Sequence, residues 1–264
     1  VTTDINTQDL PGLLQEPTMF DVQGVPVLAL PPNWMAKECQ HLLAQPRYIS
    51  SKITAHDVRG FNDYVIKHKL PETAIYAASP DHPSLIARID DNATMGGKTA
   101  PSHVAHTCTF PCPLTHEWKQ WLGKNDKPMS QIEFAEFIEN NLLDIVEPDG
   151  AGLLTACLSF QDTGSAEFKS AVRLSDGRIQ FAYIEKDTTG ELKFPERLVL
   201  ALPVFEGLDV RFRLAAKLRY RVDRDAGLHL RYVIERPDLA LKDAYSRLIE
   251  VVTERTSLPV IRAI

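Results

Sequence analysis

The chain has few cysteines, no long apolar run and no surplus of cations, and each shortage removes a class of protein. Four cysteines, at positions 39, 108, 112 and 157, are too few and too unevenly placed for a disulfide framework. They point to a reducing compartment. The longest apolar stretch, Leu198 to Phe205, is broken by Pro203 and falls far short of the roughly 20 residues a membrane-spanning helix needs, so no membrane partner is expected. The amino-terminal VTTDINTQDLPGLLQEPT is polar and acidic, with neither a basic start nor an apolar core, and does not read as a signal peptide. A formal charge of −6 gives no overall footprint for nucleic acid, so any such contact has to come from a local basic patch. GxSxG, HExxH, GxGxxG and CxxC are all missing; no catalytic residue is indicated and no cofactor is expected. A catalytic site assembled from distant residues would leave no linear trace.

Two clusters come close to known chemistry and fall short. His103, His106, Cys108, Cys112 and His116 place five metal-ligating side chains within fourteen residues. Structural zinc sites use paired ligands on tight turns, whereas His106, Cys108 and Phe110 alternate and would share one face of a strand, so no metal is assigned. Met95-Gly96-Gly97-Lys98-Thr99 ends like a phosphate loop. The first glycine of that pattern would fall on Asn92, and Pro101 blocks the helix that must follow the lysine, so a glycine turn between strands is the expected structure.

What is present is enough apolar material, 44% of 264 residues, to bury a sizeable core. Residues 1–24 read as an arm or extended segment. A strand at Val25 to Leu30 and a brief helix at Trp34 to Ala44 follow, then a helix capped by Thr54 with Val58, Phe61, Tyr64, Val65 and His68 at helical spacing. Strand-like runs at 73–78, 85–90 and 103–110 suggest an antiparallel meander. Thr115 caps a helix bearing Trp118 and Trp121, and Ser130 with Glu133 forms a capping box for a helix from Gln131 to Val146. A helical turn or two is expected around Leu153 to Phe160. Strands at 167–174 and 178–185 flank the hairpin signal Ser175-Asp176-Gly177, strands at 197–205, 209–222 and 228–235 come next, and an amphipathic helix runs from about Pro237 to Arg255. The expected class is α+β, with antiparallel sheets and packed helices in two lobes, 25–148 and 149–264; one continuous domain is the alternative.

Two surfaces stand out by charge. From Asp209 to Val222, period two puts Val210, Phe212, Leu214, Ala216, Leu218, Tyr220 and Val222 on one face and Arg211, Arg213, Lys217, Arg219 and Arg221 on the other. His229 and Arg231 fall on the neighbouring strand. Such a row is either a solvated, salt-bridged sheet face or a site for an anion or nucleic-acid backbone; the basic face has few aromatic partners for stacking bases. The helix expected over 131–146 is its opposite: Glu133, Glu136, Asn140, Asp144 and Glu147 form an acidic stripe, and Phe137 projects beside it as a potential subunit contact. If acidic helix meets basic strand across a subunit boundary, Glu133, Glu136, Phe137 and Asn140 form a self-assembly interface. If they meet within one chain, neither needs a partner.

The segment THEWKQWLGKNDKPMSQIEFAEFIENNLLDIVEP, Thr115 to Pro148, resembles the signature of the YfdQ-like phage and prophage proteins, a family without assigned function. VPVLALPPNW at 25–34, FNDYVIKHKLPETAIYA at 61–77, FKSAVRLSDGRIQFAY at 168–183 and LALPVFEG followed by LRYR support the likeness; Cys108 and Cys112 depart from the pattern. The resemblance implies a phage or prophage origin and residence in the bacterial cytoplasm, with no catalytic residues to transfer. Phage accessory genes often serve host takeover or counter-defence. The reading of the sequence is therefore a non-enzymatic, self-assembling accessory protein whose partner is a second copy of itself. The alternatives are a module binding nucleic acid, a nucleotide or a host protein, and a structural component of the virion.

Overall fold

The computed structural model describes residues 17–22, 25–31, 33, 35, 43–45, 48–95, 98–162, 167–185, 188–223 and 227–263. Two compact units result, Val1–Ile49 and Ser50–Ile264. In the first, β1 (Thr18–Val22) pairs antiparallel with β2 (Val25–Ala29), so part of the expected arm is a strand, and Met19 sits opposite Leu28 with both exposed. The expected helix at 34–44 lies largely outside the described residues.

In the second unit, β3 (Ser51–Thr54) leads into α1 (Val58–His68), then β4 (Ala74–Ala77) and β5 (Leu85–Arg88), a small hairpin of β6 (Ala93–Met95) and β7 (Lys98–Ala100), and β8 (His106–Phe110). Asp57, not Thr54, caps α1: its carboxylate accepts the Gly60 N–H at 2.6 Å. Thr54 is unavailable because it pairs with Thr109 on β8. The expected meander is present as β4, β5 and β8, but the sheet has five strands in the order β17-β4-β5-β8-β3, with β17 (Val260–Arg262) and β3 added parallel at its two edges. Lys98 lies on a strand of the β6/β7 hairpin, and Gly96 and Gly97 lie outside the described residues.

The chain continues through α2 (His116–Lys124), capped by Thr115, and β9 (Met129–Ser130) into α3 (Gln131–Asn140), whose Ser130/Glu133 capping box is fully formed. Then come a 3-10 turn at Leu142–Asp144, β10 (Ile145–Glu147) and α4 (Gly150–Asp162). A meander of β11 (Glu167–Arg173), β12 (Arg178–Glu185) and β13 (Thr188–Pro195) turns at Gly177, whose φ of 79° suits glycine. Finally β14 (Arg197–Pro203), β15 (Arg211–Asp223) and β16 (Gly227–Ile234) precede α5 (Pro237–Thr256). The second five-stranded sheet, order β10-β14-β15-β16-β9, is antiparallel throughout.

The boundary expected near residue 148 falls inside this unit. Strands β9 and β10 precede it in sequence yet flank β16 and β14, and β17 returns to pair with β4, so each large sheet draws strands from both sides of residue 148. One core follows, built on Phe61, Phe110, Trp121, Phe134, Phe205 and Tyr232 among others. Gly207, at φ 78°, brings the β14–β15 connection against the start of α1; a Cβ there would sit 3.0 Å from that of Asp57. Among the described residues, no helix is long and apolar enough to cross a membrane.

The histidines and cysteines singled out by spacing part company. His106, Cys108 and Phe110 do share the buried face of β8, while His103 and His116 are exposed. Burial pushes the thiols up, to about 11 for Cys108 and about 12 for Cys112, so neither is poised to become a thiolate ligand. His106, 3% exposed, exchanges a hydrogen bond of 2.8 Å with the Tyr64 hydroxyl, and its ring lies 5.3 Å from that of His68; its backbone N–H donates to Asp90. Burial, then the charge of His68, hold the imidazole below its ordinary value against the opposing pull of Asp90. The neutral form is thus favoured on folding, and the stability it confers is present above about pH 6.5 and lost as pH falls through the lowered value. The melting temperature should drop on acidification from about pH 7 to about 5, less steeply in His106→Gln. Parallel profiles for the two proteins would remove His106 as the titrating group.

Candidate anion-binding face

Strand β15 alternates as its sequence demands: Leu214, Ala216 and Leu218 are buried, and Arg211, Arg213, Lys217, Arg219 and Arg221 are exposed. All five cations share a face. The structure pairs Arg211, Arg213 and Lys217 with carboxylates of the same chain and leaves Arg219 without an ion pair among the described residues.

At the amino-terminal half, Arg211 donates to the Ala201 carbonyl at 2.9 Å and to Asp144 at 3.2 Å, and Arg213 reaches Glu147 at 3.4 Å. Lys217 Nζ lies 2.6 Å from Glu235, which Arg197 on β14 also approaches at 3.7 Å. The Lys217 ammonium in turn holds the Glu235 carboxyl below its usual range. Asp144 and Glu147 are the last members of the expected acidic stripe, so acidic segment and basic strand do meet, and they meet within one chain.

That meeting corrects the reading of the acidic helix. Helix α3 stops at Asn140, and the Asn141 side chain donates back to the Phe137 carbonyl at 2.7 Å. The residues beyond leave the helical path because β10 pairs with β14, Ile145 opposite Leu200. Asp144 is 5% exposed and accepts the Trp121 indole N–H at 2.9 Å. Phe137 is not a surface contact either: at 9% exposure its ring stands edge-on to Trp121, centroids 5.0 Å apart, and stacks on Tyr232 at 5.7 Å. Glu133, exposed like Glu136 and Asn140, is engaged by the Ser130 N–H, the first cause of its lowered carboxyl.

The carboxyl-terminal half of β15 differs. Arg219 lies directly across from Arg231 on β16, and Arg221 across from His229. Like charges facing each other across strands destabilise a sheet by a few tenths to about 1 kcal/mol unless something intervenes. Arg231 has Asp126 at 3.3 Å; Arg219 makes no ion pair among the described residues. The Nδ1 of His229 is buried and, among the described residues, has no hydrogen-bond partner. A cleft of about 290 Å³ opens here, lined by Pro128, Tyr220, Arg221, His229, Leu230 and Arg231.

Sequence reasoning missed the other wall. The loop Gly123-Lys124-Asn125-Asp126-Lys127-Pro128 is held against β16 by the Asp126 N–H on the Tyr232 carbonyl and the Ile234 N–H on the Asn125 side chain, each at 2.9 Å. Its Lys124 and Lys127 are exposed, Lys124 near enough to help lower Glu133, and its Pro128 lines the cleft. The two lysines were visible as letters; their distance from β16 in sequence, about a hundred residues, hid the association. Arg221 and Arg231 at a cleft can bind an anion through charge-assisted hydrogen bonds.

Fold and face together define an α+β protein with a half-neutralised basic sheet. The chain belongs to a family of uncharacterised conserved proteins, DUF2303, which it matches over residues 3–263. Searches of the curated proteins and of the solved structures each returned no match.

Proposed function

We propose that this protein is a phage- or prophage-encoded accessory protein of the bacterial cytoplasm that binds nucleic acid through backbone phosphates. Arg219, Arg221 and Arg231 would carry the contact. The observation that carries the reading is Arg219: internal carboxylates occupy Arg211, Arg213 and Lys217, whereas Arg219 makes no ion pair among the described residues and faces a second arginine, Arg231, across the sheet. Self-assembly had rested on Phe137 and on acid meeting base between subunits, and both features are used inside the chain. The likeness of residues 115–148 to phage and prophage proteins supports the origin.

Anisotropy of a labelled oligonucleotide, titrated at several salt concentrations, tests this. Each phosphate contact contributes about 0.7–0.9 to the slope of log affinity on log salt. Replacing Arg219, Arg221 and Arg231 by alanine together is expected to flatten the slope by about 2–3 and to weaken binding at low salt more than tenfold. Arg213→Ala with Lys217→Ala should do far less. Equal losses in the two variants, or no binding at low salt, would defeat the proposal.

A further inference from the structure

A second cleft lies elsewhere, at the opposite edge of the same sheet. About 580 Å³ in volume, it is enclosed by the first turns of α4, the β11–β12 turn, the end of β13 and the exposed side of β14. That volume falls within the range of small-molecule sites, about 300–1,000 Å³. Its lining is apolar along Pro148, Leu153, Ala156, Pro195 and Val199.

The polar groups at its rim are unevenly matched. Asp176 is held by the Arg178 guanidinium, and Glu147 is turned to Arg213. Glu235, the carboxylate nearest Arg197, lies much closer to Lys217. Lys193 makes no ion pair among the described residues. Lys193 acts on Asp176 through charge, helping to lower its carboxyl, and the rim's three cations, Arg178, Lys193 and Arg197, exceed its two carboxylates, Glu147 and Asp176, by one over an apolar floor.

Two glycines widen the opening. A Cβ built on Gly152 or on Gly177 meets no atom within 4 Å, so both border open space. Gly152 lies in the first turn of α4.

We infer that this cleft binds a small organic anion, its apolar ring against Pro148, Leu153 and Pro195 and its acidic group on Lys193 and Arg197. The site is separate from the nucleic-acid face. Fluorescence titration with anilinonaphthalene sulfonate, a flat aromatic anion, should saturate at one site per native chain. Phenylnaphthylamine, a closely related ring system without the sulfonate, should bind about tenfold more weakly or worse. Gly152→Phe, which projects a ring into the cleft, and Lys193→Glu should each weaken dye binding by about tenfold or more. Gly152→Ala should fold at least as stably and keep the site. The variant lacking Arg219, Arg221 and Arg231 should bind the dye normally, so failure of the nucleic-acid reading leaves this result intact. Absence of saturable binding, equal affinity for the two dyes, or binding untouched by Gly152→Phe overturns the inference.

Discussion

Phe137→Ala is expected to lower the free energy of unfolding by about 3–5 kcal/mol while leaving the mass of the native particle unchanged. The ring fills the space between Trp121 and Tyr232. Its removal forfeits the transfer energy of the side chain and leaves a cavity that two large aromatics cannot readily collapse into. Paired rings of this kind contribute a further 0.5–1.5 kcal/mol or so beyond their buried area. The Tyr232 hydroxyl is tied to the Trp121 carbonyl at 2.7 Å, so neither neighbour is free to swing inward. Against the roughly 5–15 kcal/mol typical of a folded domain, this loss is large. Denaturant unfolding read beside light scattering on a sizing column separates the two roles of Phe137. A shifted midpoint at constant mass matches a core residue; an unshifted midpoint with a smaller particle would return Phe137 to a subunit contact.

Asp144→Ala is expected to cost about 2–4 kcal/mol, most of it from the indole N–H of Trp121 left buried without an acceptor. Asp144 sits where core and surface meet, taking Trp121 on one side and Arg211 on the other. The Arg211 side chain is half exposed, so solvent screens its share of the interaction. Asp144→Asn keeps an oxygen for the indole and removes only the charge, and its loss should be nearer 1 kcal/mol. The same substitution releases Arg211 to the basic face, so oligonucleotide binding should tighten. An Asp144→Ala protein as stable as its Asn counterpart would show that the indole bond contributes little.

Local signals in the sequence were reliable wherever partner and residue lay within a few positions. The Ser130/Glu133 capping box, the Thr115 cap and the turn at Gly177 each close over two to four residues, and each formed as read. The alternation along β15 is equally local, because adjacent side chains of a strand must point to opposite faces. The length of α3 was misjudged for the converse reason. Helical spacing continues through Ile145, but β14, more than fifty residues on, offers that segment a hydrogen-bonded ladder, and the helix yields to it. Thr54 lost its capping role to Asp57 in the same way, by pairing with β8. The expected lobe boundary failed because proline and glycine at 148–152 mark a turn, and a turn does not reveal whether the strands on either side join one sheet.

The sequence by itself determined the α+β class, most of the elements and the row of five cations, since caps, turns and side-chain alternation are fixed over a few residues of backbone. Tertiary structure alone decided which of those cations meet a carboxylate of the same chain. Asp144, Glu147 and Glu235 reach Arg211, Arg213 and Lys217, and Arg231 comes to face Arg219, only once strands pair. Neutralisation falls off steeply with distance in water, so the function of a charged side chain depends on its neighbours in space, which spacing along a chain does not report.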